Sequence, residues 1–225
     1  MKTEVIVVAG GAGKRLNSKV PKALALLKGK PLINYCLKVF NAHKDIDGIV
    51  LVGVAKHLKD FQRIAKGFKK VRAVVAGGAR RSDSVKCGLK ALLPDTDTVL
   101  VHDAARPFID RELVSRLIAA VKKDKAAIVG VPVKFTVKKI DRKTLVIKET
   151  PARELLWEAQ TPQGFNKDIL LKAHARKSKQ EATDDAMMVE RMGGRVRMVM
   201  GSYRNIKVTT PEDIILAGQL LTGSR

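Results

Sequence analysis

The residues with the most chemistry to offer come early: Ala9, Gly10, Gly11, Ala12, Gly13, Lys14 and Arg15, with Pro21 and Lys22 just beyond. Glycines let backbone N–H groups approach an anion closely, and Lys14, Arg15 and Lys22 put positive charge at the same place. That combination reads as a polyphosphate site, against the alternative of a plain strand–helix connection with solvated cations. It is not a Walker A loop, because Lys14 is followed by Arg15 where Ser or Thr is needed. It is not the dinucleotide fingerprint either, because the third glycine is missing and Leu16 closes the loop.

Three further segments add to it: GGARRSDS at 77–84, HDAARP at 102–107 and NIKVT at 205–209. Together the four offer cations (Arg15, Lys22, Arg106, Lys207), the carboxylate of Asp103, the hydroxyl of Ser84 and backbone amides. A lone carboxylate among cations is a credible Mg²⁺ ligand, and the set suits a magnesium–nucleotide. Asp103 could instead cap a turn, and Lys207 could be an ordinary surface lysine. No serine or cysteine stands in a nucleophile elbow, so hydrolytic triads find no support. Nucleotidyl transfer would need none. A phosphate monoester has its second pKa near 6 and is largely a dianion at neutral pH. It can attack an α-phosphate once cations align the two groups and neutralise the transition state.

The elements that must position these groups alternate. Strands are expected at 5–9, 48–54, 71–76, 98–102 and 126–131. Helices are expected at 31–43, from 55 to 66, from a Ser82-Asp83-Ser84 cap to 93, and at 110–122. This order predicts an α/β, Rossmann-like fold: a mostly parallel twisted sheet with helices on both faces. In such sheets ligands bind beyond the C-terminal strand ends, where the four segments are expected to lie. Between 132 and 153 the alternation breaks into two short strands around Asp141, Arg142 and Lys143. This protruding β-hairpin arm has little core of its own; it either leans on a partner subunit or stands free in solvent. Segments 153–160 and 161–165 carry no assigned element. Helices follow at 166–177 and after Thr183, then strands at 195–200 and 205–209. A last helix has Thr210 as cap, Pro211 at its first position and Asp213 at its third.

The 225 residues suffice for one large domain spanning 1–225, with the arm at about 132–153. A hydrophobic content of 45% argues for a globular chain, and no apolar run approaches membrane-helix length. The start is too short for a signal peptide, so the cytoplasm is expected. Cys36 and Cys87 read as buried thiols, not a disulfide. His43, His57 and His174 are expected on solvated surfaces, with His102 at a strand end. Net charge is +22, yet the lysines are spread along the chain and only 4% of residues are aromatic. The charge therefore suits anionic small substrates better than a nucleic acid.

With these segments in hand, the chain resembles the small-alcohol-phosphate cytidylyltransferases, and among them the methylerythritol phosphate enzymes. The matching stretches are AGGAGKRL with VPK, GGARRSDSV, VHDAARPF, PVKFTVK, TPQGF, ATDDAMMVE and NIKVTTPEDI, in that order and nearly end to end. The resemblance implies cytidylyl transfer from CTP to 2-C-methyl-D-erythritol 4-phosphate, with Mg²⁺ as cofactor. Arg15 and Lys22 would stabilise the transition state. Ala9, Gly10, Gly78, Ser84 and Ala104 would hold the nucleoside, and Gly11, Ala12, Gly13 and Lys14 the phosphates. Asp103 would ligate the metal and face the substrate. Arg106, Thr183 and Lys207 would line the sugar-phosphate site, with Thr136 and Arg153 reaching it from the arm of a second subunit in a homodimer. Lys207 and Arg153 would also count as catalytic. A pentitol phosphate such as ribitol 5-phosphate is the alternative substrate; Ala105 and the ATDDAMMVE stretch favour methylerythritol. A UTP- or GTP-using sugar transferase and a nucleic-acid-binding protein are the remaining rivals. Gly10, Lys14, Phe135 and Arg204 depart from the usual family pattern.

Overall fold

The first strand, β1 (Lys2–Ala9), has side chains that alternate between two apolar layers. A computed structural model describes residues 1–11, 16, 20–176 and 180–223 of the chain. Small strands β2 (Leu26–Leu27) and β3 (Lys30–Pro31) follow β1 and lead into α1 (Leu32–Ala42). Next come β4 (Gly48–Gly53), α2 (Leu58–Ala65), β5 (Val71–Ala76), α3 (Arg81–Lys90), β6 (Thr96–Asp103), α4 (Arg111–Asp124) and β7 (Ala126–Pro132). The arm holds β8 (Lys139–Ile140) and β9 (Ile147–Glu149). The chain returns through β10 (Trp157–Asn166), α5 (Lys167–Ala175), α6 (Asp185–Glu190), β11 (Arg197–Met200) and α7 (Pro211–Thr222).

Seven strands form the main sheet in the order β11-β7-β10-β6-β1-β4-β5. β1 pairs in parallel with both β4 and β6, so its glycine-rich exit lies between two other strand ends. On one face Val5, Val7 and Ala9 pack with Ile33, Leu37 and Phe40 of α1, Phe61 of α2, and Leu113, Leu117 and Val121 of α4. On the other face Ile6 packs with Val50, Val99 and Val101 of its neighbours. Val85 of α3, Leu170 of α5 and Val189 of α6 complete that layer. The expected mostly parallel, doubly covered sheet is therefore present.

Local signals place most helix ends as expected. Asp110 caps α4 by accepting from the Leu113 N–H at 2.7 Å. Asp213 accepts from the Thr209 and Thr210 N–H groups at 2.7 and 2.9 Å and fixes the start of α7.

Several expectations need correction. The sequence pattern assigns no element to 153–165, yet β10 sits mid-sheet, antiparallel to both β6 and β7. Proline cannot donate to a ladder and so argues against a central strand. The chain accommodates Pro162 with a cis Thr161–Pro162 bond and a register shift against β7 between Ala159 and Gln163. Residues 205–209 are not a strand. Their N–H groups go elsewhere: Asn205 to the Ser202 carbonyl, Val208 to the Ala105 carbonyl and Thr209 to Asp213. α3 begins at Arg81, not at a Ser82 cap, because the Asp83 carboxylate reaches back to the Arg80 N–H from inside the first turn. His43 and His174 are buried, each held by hydrogen bonds, and were wrongly expected in solvent. Cys36 is buried, whereas Cys87 is only half-buried; both are free thiols.

Candidate active site

The C-terminal ends of β1 and β6 and the start of α3 enclose a cavity of about 310 Å³. Of the residues read from the sequence as site residues, it brings together Ala9, Gly10, Gly11, Lys22, Gly78, Ser84, Asp103, Ala104 and Lys207. Ala12, Gly13, Lys14 and Arg15 lie outside the described residues. Lys22 is 8% exposed, in a short 3-10 turn whose first N–H donates to the Gly11 carbonyl at 3.2 Å.

One wall of the cavity is shaped by a serine. Ser84, buried in α3, accepts from the Gly78 N–H at 3.2 Å and donates to the Arg80 carbonyl at 3.1 Å. This ties the turn after β5 onto the helix. Gly78 is required there, since a Cβ would come within 2.5 Å of the Asp83 Cβ. At Gly10 a Cβ would meet Ser84 Oγ at 3.4 Å, an ordinary contact, so alanine would fit.

Asp103, at the end of β6, is the one carboxylate lining the cavity among the described residues. Lys207 Nζ binds Oδ2 at 2.6 Å and Arg81 Nε binds Oδ1 at 3.0 Å. Burial pushes its pKa up, but the charges of Arg81 and Lys207 outweigh this and hold it well below the usual carboxylate range. Arg81 also reaches Asp185 on α6, Nη1 to Oδ2 at 2.6 Å, and Asp185 Oδ1 meets His174 Nε2 at 2.9 Å. Lys207 is brought to Asp103 by the Val208 N–H, which bonds to the Ala105 carbonyl at 2.9 Å.

His102 supports the site from below. Burial pushes its pKa down to about 4, so it is neutral at pH 7. Its Nε2 lies 3.1 Å from the Arg106 carbonyl and its Nδ1 3.1 Å from Thr161 Oγ1. Thr161 Oγ1 in turn accepts from the Asp103 N–H at 3.1 Å. One tautomer satisfies all three bonds: Nε2 protonated and the Thr161 hydroxyl donating to Nδ1.

Other sequence-derived candidates lie off the cavity. Arg106 Nη1 donates to the Asn205 carbonyl at 2.7 Å and Nη2 to the Ala159 carbonyl at 3.3 Å, while its buried Nε has no hydrogen-bond partner among the described residues. Thr183 is exposed ahead of α6. Thr136 and Arg153 are exposed at the base of the arm, where Arg153 Nη1 donates to the Lys134 carbonyl at 3.0 Å.

A magnesium ion fits this donor set only in company. Among the described residues no three His, Cys, Asp or Glu side chains gather to hold a metal by themselves. Mg²⁺ is commonly bound by one or two carboxylates plus substrate phosphates and water, which Asp103 in a cationic cavity can serve. The buried Arg81 Nη2, without a hydrogen-bond partner among the described residues, is a donor suited to an anion.

The family model for 2-C-methyl-D-erythritol 4-phosphate cytidylyltransferase matches residues 3–223. The chain belongs to this family. A methylerythritol phosphate cytidylyltransferase of Alkaliphilus metalliredigens is 46% identical over 226 residues, covering 98% of this chain and 93% of that one. Its counterpart in Clostridioides difficile is 44% identical, covering 96% and 92%. The 4-diphosphocytidyl-2C-methyl-D-erythritol synthase of Anaerococcus prevotii superposes with a TM-score of 0.88 at 33% identity, covering 98% of each chain. The Thermus thermophilus cytidylyltransferase does so at 0.78 and 33%, covering 99% and 100%.

In this cytidylyltransferase family member, sequence reasoning passed over Arg81, Thr161, His174 and Asp185. Arg80 and Arg81 are adjacent, as are Asp184 and Asp185, and composition cannot separate the members of either pair. The helix start does: Arg80 and Asp184 are extended cap residues, whereas Arg81 and Asp185 are the first residues of α3 and α6. Arg80 stays outside on Asp83 while Arg81 turns in, and Asp184 caps α6 through the Met187 N–H while Asp185 faces Arg81.

Proposed function

We propose that this chain transfers a cytidylyl group from CTP to 2-C-methyl-D-erythritol 4-phosphate, releasing pyrophosphate, as a single nucleotidyltransferase domain with an arm. The observation that carries the reading is the family match over residues 3–223, together with a cationic cavity built around Asp103 at the ends of β1 and β6.

In this reading the turn held by Ser84 and Gly78 receives the nucleoside and the glycine-rich segment receives the triphosphate. A phosphate oxygen of the acceptor attacks the α-phosphorus; a new P–O bond forms as the bond to the β-phosphate breaks, and pyrophosphate leaves. No side chain has to remove a proton, because the acceptor phosphate is already largely a dianion. The described lining agrees: it holds no histidine or glutamate, and Asp103 is committed to two cations. Lys22, with Arg15, supplies positive charge where charge develops in the transition state. Magnesium, when bound with the nucleotide through Asp103, neutralises phosphate charge. Lys207, on the cavity wall beside Asp103, draws the acceptor phosphate, and Arg106 holds the Asn205 carbonyl two residues before it.

The arm supports a homodimeric assembly. Phe135 is 80% exposed, and Leu145, Val146, Ile147 and Leu155 are also exposed. These side chains have little to bury them in their own protomer. A second copy would cover them and bring Thr136 and Arg153 to its own cavity. No helix among the described residues is long and apolar enough to cross a membrane.

The test is pyrophosphate release with CTP and Mg²⁺, comparing methylerythritol phosphate with ribitol 5-phosphate and CTP with UTP. Release confined to CTP with methylerythritol phosphate is expected. Turnover of ribitol phosphate alone would overturn the substrate.

A further inference from the structure

Asp185 and His174 have no part in the reaction as derived above, yet they are among the most buried polar side chains, at 0% and 3% exposure. Burying a carboxylate is costly unless it is paired and hydrogen-bonded. Asp185 meets both conditions. The Gln163 Oε1 on β10 accepts from the Asp185 and Ala186 N–H groups, each at 3.2 Å, and pins the start of α6. His174 Nε2 holds Oδ1 at 2.9 Å, and Oδ2 is left for Arg81 Nη1 at 2.6 Å. The Arg81 guanidinium is thereby stretched between two carboxylates, with only its Nε on Asp103.

A guanidinium facing a single carboxylate tends to pair with two parallel bonds. Arg81 does not do so at Asp103: Asp185 anchors Nη1 and so fixes the tilt of the rigid guanidinium, Lys207 holds Oδ2, and Nη2 is left without a hydrogen-bond partner among the described residues. We propose that Asp185, pinned by Gln163 and His174, is a positioning residue that limits the grip of Arg81 on Asp103 and keeps that carboxylate available to a magnesium–nucleotide. This rests on the reading of Asp103 as the contact for Mg²⁺ and CTP. Asp185→Asn would keep the shape and remove the charge. The guanidinium would then close on Asp103 with both prongs and compete with the metal for the same oxygens.

The experiment is calorimetric CTP binding to the full chain across a Mg²⁺ titration, without acceptor, so that turnover is not read. D185N is expected to raise the half-saturating Mg²⁺ by about ten-fold, the lower end of what removing a residue behind a metal ligand costs. Lysine keeps the charge but lacks the fork. Arg81→Lys added to D185N should therefore bring the requirement back toward wild type. A merely structural role for Asp185 would lower thermal stability without that rescue. Should D185N fold poorly, Gln163→Leu leaves the charge but unpins it, and a smaller shift in the same direction is expected. Coincident Mg²⁺ titrations of folded D185N and wild type would overturn the proposal, as would a shift that R81K does not reverse. Absence of Mg²⁺-dependent CTP binding in wild type would instead overturn the functional reading beneath it.

Discussion

Lys22 is the cation whose removal should separate chemistry from folding. It sits 8% exposed in the cavity wall, on a short turn after Pro21. If it stabilises charge that develops only in the transition state, Lys22→Ala should lower kcat by about 100-fold or more while CTP still binds. Stopped-assay pyrophosphate release beside CTP calorimetry distinguishes this from simple loss of the nucleotide; a near-wild-type kcat would mean the lysine has another role. Gly78 makes a steric counterpart. Its missing Cβ leaves room for the Asp83 Cβ, so Gly78→Ala must push the turn off α3 and break the Ser84 contact. A CTP affinity weakened by about ten-fold, worth about 1.4 kcal/mol, with acceptor KM little changed is the expected result. An unchanged CTP affinity would show that the turn does not bear on the nucleoside.

At the scale of elements, the sheet is fastened at its lower end by a buried glutamate. Glu4 of β1 takes hydrogen bonds from Arg72 of β5, from Thr96 of β6 and, at 2.8 Å, from the Leu93 N–H. Burial pushes its pKa up, but the Arg72, Thr96 and Leu93 bonds together hold it below the ordinary value. A depressed folded pKa means the unfolded chain binds more protons, so stability rises with pH through this window. Glu4 therefore contributes its full stability above the unfolded value, about 4.3, and loses it as the pH falls through the lower folded one. Glu4→Gln leaves Arg72 short of its partner and should cost about 3 kcal/mol at neutral pH. Urea unfolding should give that difference at pH 7 and a smaller one near pH 3. Equal gaps at both would mean that the carboxylate charge is not what fastens these strands.

At the scale of the molecule, the arm and the cavity make a prediction that neither makes alone. Arg153 is exposed on the arm and lines no part of its own cavity. If it serves a partner, Lys22→Ala and Arg153→Ala chains, each impaired as homodimers, should form mixed dimers with one intact site. Unfolding and refolding an equimolar mixture should then restore up to about half of the wild-type activity per mixed dimer, by symmetry of a two-fold assembly. Activity that stays at the average of the two mutants would place Arg153 with its own chain.

Much was legible from local pattern alone. The β-branched run of β1, the Thr210-Pro211-Asp213 start of the last helix, and the glycine-rich exit toward Lys22 each depend on neighbours in sequence, so the mostly parallel sheet and its ligand-binding end followed from such local signals. The ordered motifs were specific enough to name the family. What stayed hidden depends on neighbours in space. Pro162 disguised β10 because its cost depends on what flanks it in the sheet. Arg81 could not be told from Arg80, nor Asp185 from Asp184, because where each helix starts and which long-range partner is near choose between them. His43 and His174 looked like solvated histidines until packing closed over them. Local sequence specifies which backbone shapes a segment prefers; only the assembled fold decides which charges must share a buried space, and the Asp185–Arg81–Asp103–Lys207 string arises there.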